Sequence, residues 1–136
     1  MMVDGIIDAN VLIRFLTKDD PEKAERTLRL FQKALSTAIL YEVPSIVFAE
    51  LVWVLDSYYG WPRSDIADKL AALLDMPPFY FPDRESLSQA LHLYKTLNID
   101  FIDAFLATSA LGSSSKRIYS FDKDFDRVPG VIRTEP

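Results

Sequence analysis

Four acidic residues stand at strand ends or beside apolar runs, where an isolated carboxylate is unfavourable. Asp8 follows the β-type segment VDGII, and Asp122 follows RIYSF. Glu50 interrupts the apolar run SIVFAELVWVL, and Asp103 directly precedes AFLA. A carboxylate that leaves water needs hydrogen-bond donors, a cationic side chain or a metal ion. We therefore predict that these four acids share one site.

Ordinary structural roles stay open for each of them. Aspartates before helices are typical caps, and acids in a first helical turn are stabilised by the helix dipole. Glu50 is explained equally well by an arginine partner. Asp122 shares an acid-rich turn with Asp124 and Asp126, and the competing interpretation for these three is a solvated loop.

A shared site of carboxylates predicts metal chemistry. Two carboxylates at 4 Å repel by about 4 kcal/mol at an effective dielectric of about 20, so a cluster of four needs a cation. Oxygen ligands select Mg²⁺ or Mn²⁺, and such ions promote phosphodiester hydrolysis. Asn10 is placed to orient Asp8 through its amide. Asp100 lies three residues before Asp103, on the same helical face.

Composition excludes several other chemistries. The chain has no cysteine and a single histidine, His92, so thiolate or histidine-rich zinc sites and histidine-pair nucleases are excluded. The start MMVDGIID has no signal-peptide pattern, and no apolar run is long enough to span a membrane, so we expect a cytoplasmic protein. If four acids belong to a metal site, the net charge of −5 leaves −1 for the rest of the chain. The acidic net charge therefore does not exclude RNA as a binding partner.

Strand and helix patterns alternate along the chain, which is typical of a parallel sheet covered by helices on both faces. Predicted strands occupy residues 3–7, 38–43, 77–81, 117–121 and 131–134. Predicted helices occupy residues 8–16, 21–36, 45–60, 62–74, 83–98 and 100–112, and Ser45 is the expected cap of the third. Ligands of such sheets gather beyond the carboxyl ends of the strands, where Asp8 and Asp122 are expected.

Four motifs resemble one known family. IIDANVLIRFL, SIVFAEL, DFIDAFLATSAL and IYSFDKDFDRVPGV occur in the order and spacing of the PIN-domain ribonucleases, particularly the VapC-like toxins of toxin–antitoxin pairs. The resemblance implies a single PIN domain over residues 1–136. It also implies an α/β/α sandwich with a central parallel sheet of about five strands.

The resemblance also implies a function and its residues. Asp8, Glu50, Asp103 and Asp122 become the catalytic acids that bind Mg²⁺ or Mn²⁺, with Asn10, Ser120 and Asp100 in support. Expected RNA contacts, for which a solvated surface is the competing explanation, are Arg14, Lys116 and Arg117. The expected partners are an RNA substrate, a cognate antitoxin protein and a second copy of the chain.

Two alternatives were weighed against this function. A haloacid-dehalogenase-like phosphatase also begins with an aspartate after its first strand, but it needs a second acid where this chain has Asn10. A non-catalytic PIN-like module that binds RNA or protein stays open, and it is favoured if the acids fail to converge.

Overall fold

Five short strands and six α-helices make up an α/β fold, as the sequence predicts. The computed structural model describes residues 2–136. The strands are β1 (Met2–Ile6), β2 (Ile39–Glu42), β3 (Phe79–Tyr80), β4 (Arg117–Tyr119) and β5 (Ile132–Thr134). The helices are α1 (Ala9–Thr17), α2 (Pro21–Thr37), α3 (Ser45–Ser57), α4 (Arg63–Leu74), α5 (Arg84–Leu97) and α6 (Phe101–Leu111), and a 3-10 helix spans Lys123–Arg127.

The strands form two parallel sheets rather than the single sheet that we expected. One sheet has the order β1–β2–β3, and the other pairs β4 with β5. Five strands are present in residues 2–136, but the expected central sheet of about five strands has three of them, and no ladder joins β1 to β4. The strands are two to five residues long, so each ladder has few hydrogen bonds with which to fix its partner.

Local sequence explains most helix ends. Asp8 caps α1 and accepts a hydrogen bond from the Ala9 N–H, and Asp20 caps α2, which starts at Pro21. The prediction that Ser45 caps α3 is wrong. Pro44 occupies that position, and the Ser45 hydroxyl donates to Asp83 Oδ2 at 2.5 Å, which joins the start of α3 to the start of α5.

The core lies where α3 to α6 pack on the three-stranded sheet. Its fully buried side chains include Phe48 and Leu51 from α3, Leu70 from α4 and Leu87 from α5. Phe79 of β3 packs edge to face against Phe31 of α2, with ring centroids 4.7 Å apart. Phe48 also packs against Phe101 at the start of α6, with ring centroids 5.7 Å apart, and so contacts the helix that carries Asp103.

Strand β1 is less covered than a buried parallel strand should be. All five of its residues are exposed, including Met2, Val3 and Ile6. The expectation of a sheet covered on both faces is therefore wrong at this strand, which is also an edge strand because β4 and β5 form a separate sheet. Among residues 2–136, no helix is both long and apolar enough to cross a membrane.

Candidate metal centre

Three carboxylates converge where α6 meets the segment after β4. Asp103 lies in the first turn of α6, Asp122 caps the 3-10 helix and Asp124 lies within that helix. One oxygen from each of the three lies within 4.8 Å of the other two. Three carboxylate oxygens at this spacing suit a hard divalent cation, which prefers oxygen ligands.

Local hydrogen bonds fix the conformation of each of the two segments. The Asp122 N–H donates to Ser120 Oγ at 3.0 Å, and Asp122 Oδ1 accepts from the Asp124 N–H at 2.9 Å. These bonds fold the chain tightly after β4, so that two acids two residues apart belong to one cluster. On the other side, the Ala104 N–H donates to the Asp100 carbonyl at 2.8 Å and starts α6, which places Asp103 in the first turn.

The environment of Asp103 disfavours its charged form. Partial burial raises the pKa of this carboxyl, and the negative charges of Asp122, Asp100 and Asp124 raise it further. A bound cation reverses the sign of this effect, because it stabilises the carboxylate that burial and like charges destabilise. The negative charge concentrated around Asp103 therefore suits a bound cation.

The acids after β4 separate into two groups. Asp126 accepts two hydrogen bonds from the Arg133 guanidinium, at 2.9 and 3.3 Å, and so has a structural ion pair. Asp124 joins the acidic cluster while its Oδ1 lies 3.3 Å from Arg127 NH2. Asp124 therefore has both an ion pair and a place in the acidic cluster, whereas a solvated turn was the competing interpretation for it. Its position two residues after Asp122, in the sequence DKD, was the available signal.

Two of the four predicted acids lie outside this cluster. Asp8 has no oxygen that joins the group at 4.8 Å; its carboxylate accepts from the Ala9 N–H at 2.8 Å and from Asn10 Nδ2 at 3.4 Å. Glu50 is exposed on α3, so the premise that it is buried among apolar neighbours is wrong. Within residues 2–136 it has no ion pair. Convergence therefore holds for Asp103 and Asp122 and does not extend to Asp8 and Glu50.

The three predicted supporting residues have definite contacts. Asn10 donates to Asp8, the acid that it was expected to orient, and Ser120 accepts from the Asp122 backbone N–H. Asp100 is the residue that precedes α6; its side chain makes no capping bond, and its charge acts on Asp103.

The predicted RNA contacts are partly engaged in structure. Arg14 NH1 donates to Asp19 Oδ1 at 2.9 Å. Lys116 Nζ donates to the Leu111 carbonyl at the end of α6, and Arg117 NH1 donates to Thr134 Oγ1 on β5. Each cation thus has a structural contact, and contact with RNA stays a prediction.

The comparison with known proteins identifies the family. The profile of the PIN domain matches residues 5–131, so the chain belongs to the PIN domain family. Within it the chain is VapC-like: a protein described as "VapC ribonuclease" from Aquifex aeolicus (strain VF5) is 27% identical over 123 residues, which cover 90% of each chain. No solved structure gives a significant match.

Proposed function

We propose that this protein is a metal-dependent endoribonuclease and the toxin of a type II toxin–antitoxin pair. The convergence of Asp103, Asp122 and Asp124 carries the proposal, because oxygen ligands in this arrangement suit the ions that assist phosphodiester hydrolysis. The similarity to a VapC ribonuclease over 90% of both chains supports RNA as the substrate.

The metal ligands would be the three clustered acids, with Mg²⁺ or Mn²⁺ as the ion. When bound, such an ion polarises the phosphate and activates water. Ser120 holds the backbone of Asp122, and the bond from Asp124 N–H to Asp122 fixes the spacing of those two acids. We propose Asp8 and Glu50 as further acids of the site. Asp8 is oriented by Ala9 and Asn10, and exposed Glu50 is free of competing ion pairs within residues 2–136.

Partners and location follow from the same proposal. A VapC-like toxin acts on RNA in the cytoplasm and is silenced by a small antitoxin protein encoded beside it. The homodimer predicted from the resemblance stays a prediction, and light scattering of the purified protein measures it directly.

A second candidate, a non-catalytic PIN-like module that binds RNA or protein, is favoured by one observation. Asp8 and Glu50 stand outside the acidic cluster, which leaves the predicted set of catalytic acids incomplete. Turnover separates the two functions, since a binding module retains RNA without cutting it.

The deciding experiment incubates the purified, partner-free protein with labelled single-stranded RNA. We expect cleavage with Mg²⁺ or Mn²⁺ and none in chelator. Asp8→Asn and Asp103→Asn should each reduce the rate at least about 100-fold, the scale on which loss of a group that stabilises charge in a transition state acts. Asp65→Asn, an exposed acid in the first turn of α4, is the matched control and should cut at the parental rate.

Two results would contradict the proposal. One is cleavage that continues unchanged in chelator. The other is an Asp103→Asn protein that cuts as fast as Asp65→Asn. RNA binding without metal-dependent cleavage would instead support the binding module.

A further inference from the structure

A basic groove lies between α1 and α2, apart from the acidic cluster. Its walls include Asn10, Val11 and Arg14 from α1, and Lys23, Arg26 and Thr27 from α2. Its volume is about 530 Å³, within the range of about 300–1,000 Å³ that is usual for ligand-binding clefts. We call it the α1–α2 groove.

The charged side chains that line this groove are all basic, although Asp19 and Asp20 lie beside two of the three cations. The protein carries 20 acidic and 15 basic residues, yet the groove has three cations and no acidic side chain among its lining within residues 2–136. Arg26 is exposed and has no ion pair in that part of the chain, and Lys23 lies only at 4.0 Å from Asp20. A local concentration of cations on an acidic protein points to an anionic ligand.

The arginine on the α1 wall is held in place. Arg14 NH1 bonds to Asp19 Oδ1 at 2.9 Å, and Asp19 in turn accepts from the Tyr59 hydroxyl at 2.6 Å. About a third of the Arg14 side chain stays exposed while this pair fixes it. A guanidinium that is already ordered loses less conformational entropy when it binds a phosphate.

The groove begins beside a predicted catalytic acid. Asn10 lines the groove and also donates a hydrogen bond from Nδ2 to Asp8 Oδ2 at 3.4 Å. One wall residue of the groove therefore contacts Asp8 directly, which places that end of the groove beside this acid.

We propose that the α1–α2 groove binds the phosphate backbone of the substrate RNA, with Arg14, Lys23 and Arg26 as phosphate contacts. The inference rests on the proposed function, which supplies RNA as the polyanion. Arginine forks fit phosphate oxygens in pairs, and lysine adds a point charge. The groove would hold the part of the strand that lies on the Asp8 side of the site.

The test measures RNA binding without cleavage. Binding of a fluorescein-labelled single-stranded RNA is followed by anisotropy in chelator, at several salt concentrations. The double variant Lys23→Gln/Arg26→Gln should bind about tenfold more weakly at low salt, and the slope of log affinity against log salt should fall by about 0.7 for each lost phosphate contact. The matched control is Arg29→Gln/Lys33→Gln, which removes the same charge from the same helix outside the groove and should bind like the parent.

The possible outcomes separate this inference from the proposed function. Equal affinities for the two double variants would overturn the groove, whether both bind like the parent or both bind more weakly. If the groove variants leave RNA binding unchanged but weaken binding of a glutamate-rich peptide, the groove binds an acidic protein segment and the RNA proposal is overturned. Should the parent bind RNA through the groove yet fail to cut it with Mn²⁺, the groove would stand and the ribonuclease proposal would fail.

Discussion

At the scale of single residues, the acidic cluster lowers the stability of the metal-free fold and favours the binding of a cation. Burial and three neighbouring carboxylates raise the pKa of Asp103, which means that its charged form destabilises the metal-free fold at neutral pH. A carboxylate of this kind lowers the free energy of unfolding of the metal-free protein, and a bound cation relieves that repulsion.

We predict that Asp103→Asn raises the melting temperature in chelator by roughly 2 °C, because the amide removes the repulsion. In Mn²⁺ the order should reverse, because the parent gains the free energy of metal binding and the variant loses most of it. Differential scanning fluorimetry with and without Mn²⁺ measures both effects, with Asp65→Asn as control. A variant that is stabilised by Mn²⁺ as much as the parent would contradict the assignment of Asp103 as a ligand.

The pair Asp124 and Asp126 gives a second residue-scale prediction. Asp124 belongs to the cluster, whereas Asp126 is bound to Arg133. Asp124→Asn should weaken Mn²⁺ binding at least about tenfold in calorimetric titrations, and Asp126→Asn should leave it unchanged. Equal effects of the two substitutions would mean that overall charge, rather than the geometry of the cluster, governs the affinity.

The sequence alone predicted two of the three clustered acids, and two of its four predicted acids lie outside the cluster. Asp103 and Asp122 were recognisable because one precedes an apolar helix and the other follows a strand. Asp124 was missed because membership depends on the backbone turn that Ser120 and Asp122 hold, and a turn of that kind cannot be distinguished from a solvated loop by composition. Exposure of Glu50 was missed because it depends on which elements cover α3 in three dimensions.

At the scale of elements, one arginine of α4 fixes the start of α6. Arg63 NH1 donates to the Tyr94 carbonyl at 2.9 Å and to the Ile99 carbonyl at 2.6 Å, and its guanidinium lies 4.1 Å from the centroid of the Tyr94 ring. Ile99 directly precedes Asp100, so this contact sets where the helix that carries Asp103 begins.

Loss of this contact should affect both stability and metal binding. Arg63→Ala should lower the free energy of unfolding by roughly 2–3 kcal/mol, since two charge-assisted bonds are lost, and should also weaken Mn²⁺ binding. Arg63→Lys should restore part of both, because an ammonium keeps one bond but not the planar fork. Lys95→Ala is the control, because its exposed pair with Asp68 also joins α4 and α5 and should be worth less than about 1 kcal/mol.

The loop between α1 and α2 is joined to the end of α3 by a hydrogen-bonded group around Asp19. The Tyr59 hydroxyl bond is the largest cause that lowers the pKa of Asp19 to about 2, and Arg14 and Thr17 add further bonds to the carboxylate. Because the pKa of Asp19 in the folded protein lies below the ordinary aspartate value of 3.8, the charged carboxylate stabilises the fold above about pH 4. That stabilisation is lost as the pH falls towards 2.

We therefore predict that Asp19→Asn melts at a lower temperature than the parent at pH 7, and that the difference shrinks between pH 4 and pH 2. Melting curves across this range test it, and NMR titration should show the Asp19 pKa rising in Tyr59→Phe. A difference in melting temperature that is the same at pH 7 and pH 2 would exclude the ionised carboxylate as its source.

At the scale of the whole molecule, the α/β class and the order of elements were predictable, whereas the sheet was not. The helices follow from periodic apolar residues and local signals such as Asp8, Pro21 and Asn98, which act over a few residues. Pairing of strands joins residues that are distant in sequence, as in the ladder between Met2 and Ile39. With β3 only two residues long, alternation within a strand has too few positions to specify a partner.

The division into two sheets has a consequence for how the molecule opens. The segment from β4 to β5 carries Asp122 and Asp124, and within residues 2–136 its two strands pair with each other and with no third strand. Its amide protons should therefore exchange with deuterium faster than those of β2 when chelator is present. Added Mn²⁺ should slow exchange in residues 117–134, because Asp103 of α6 then shares an ion with this segment; equal rates with and without Mn²⁺ would contradict that coupling. The metal ion would thus couple local opening of residues 117–134 to the stability of α6.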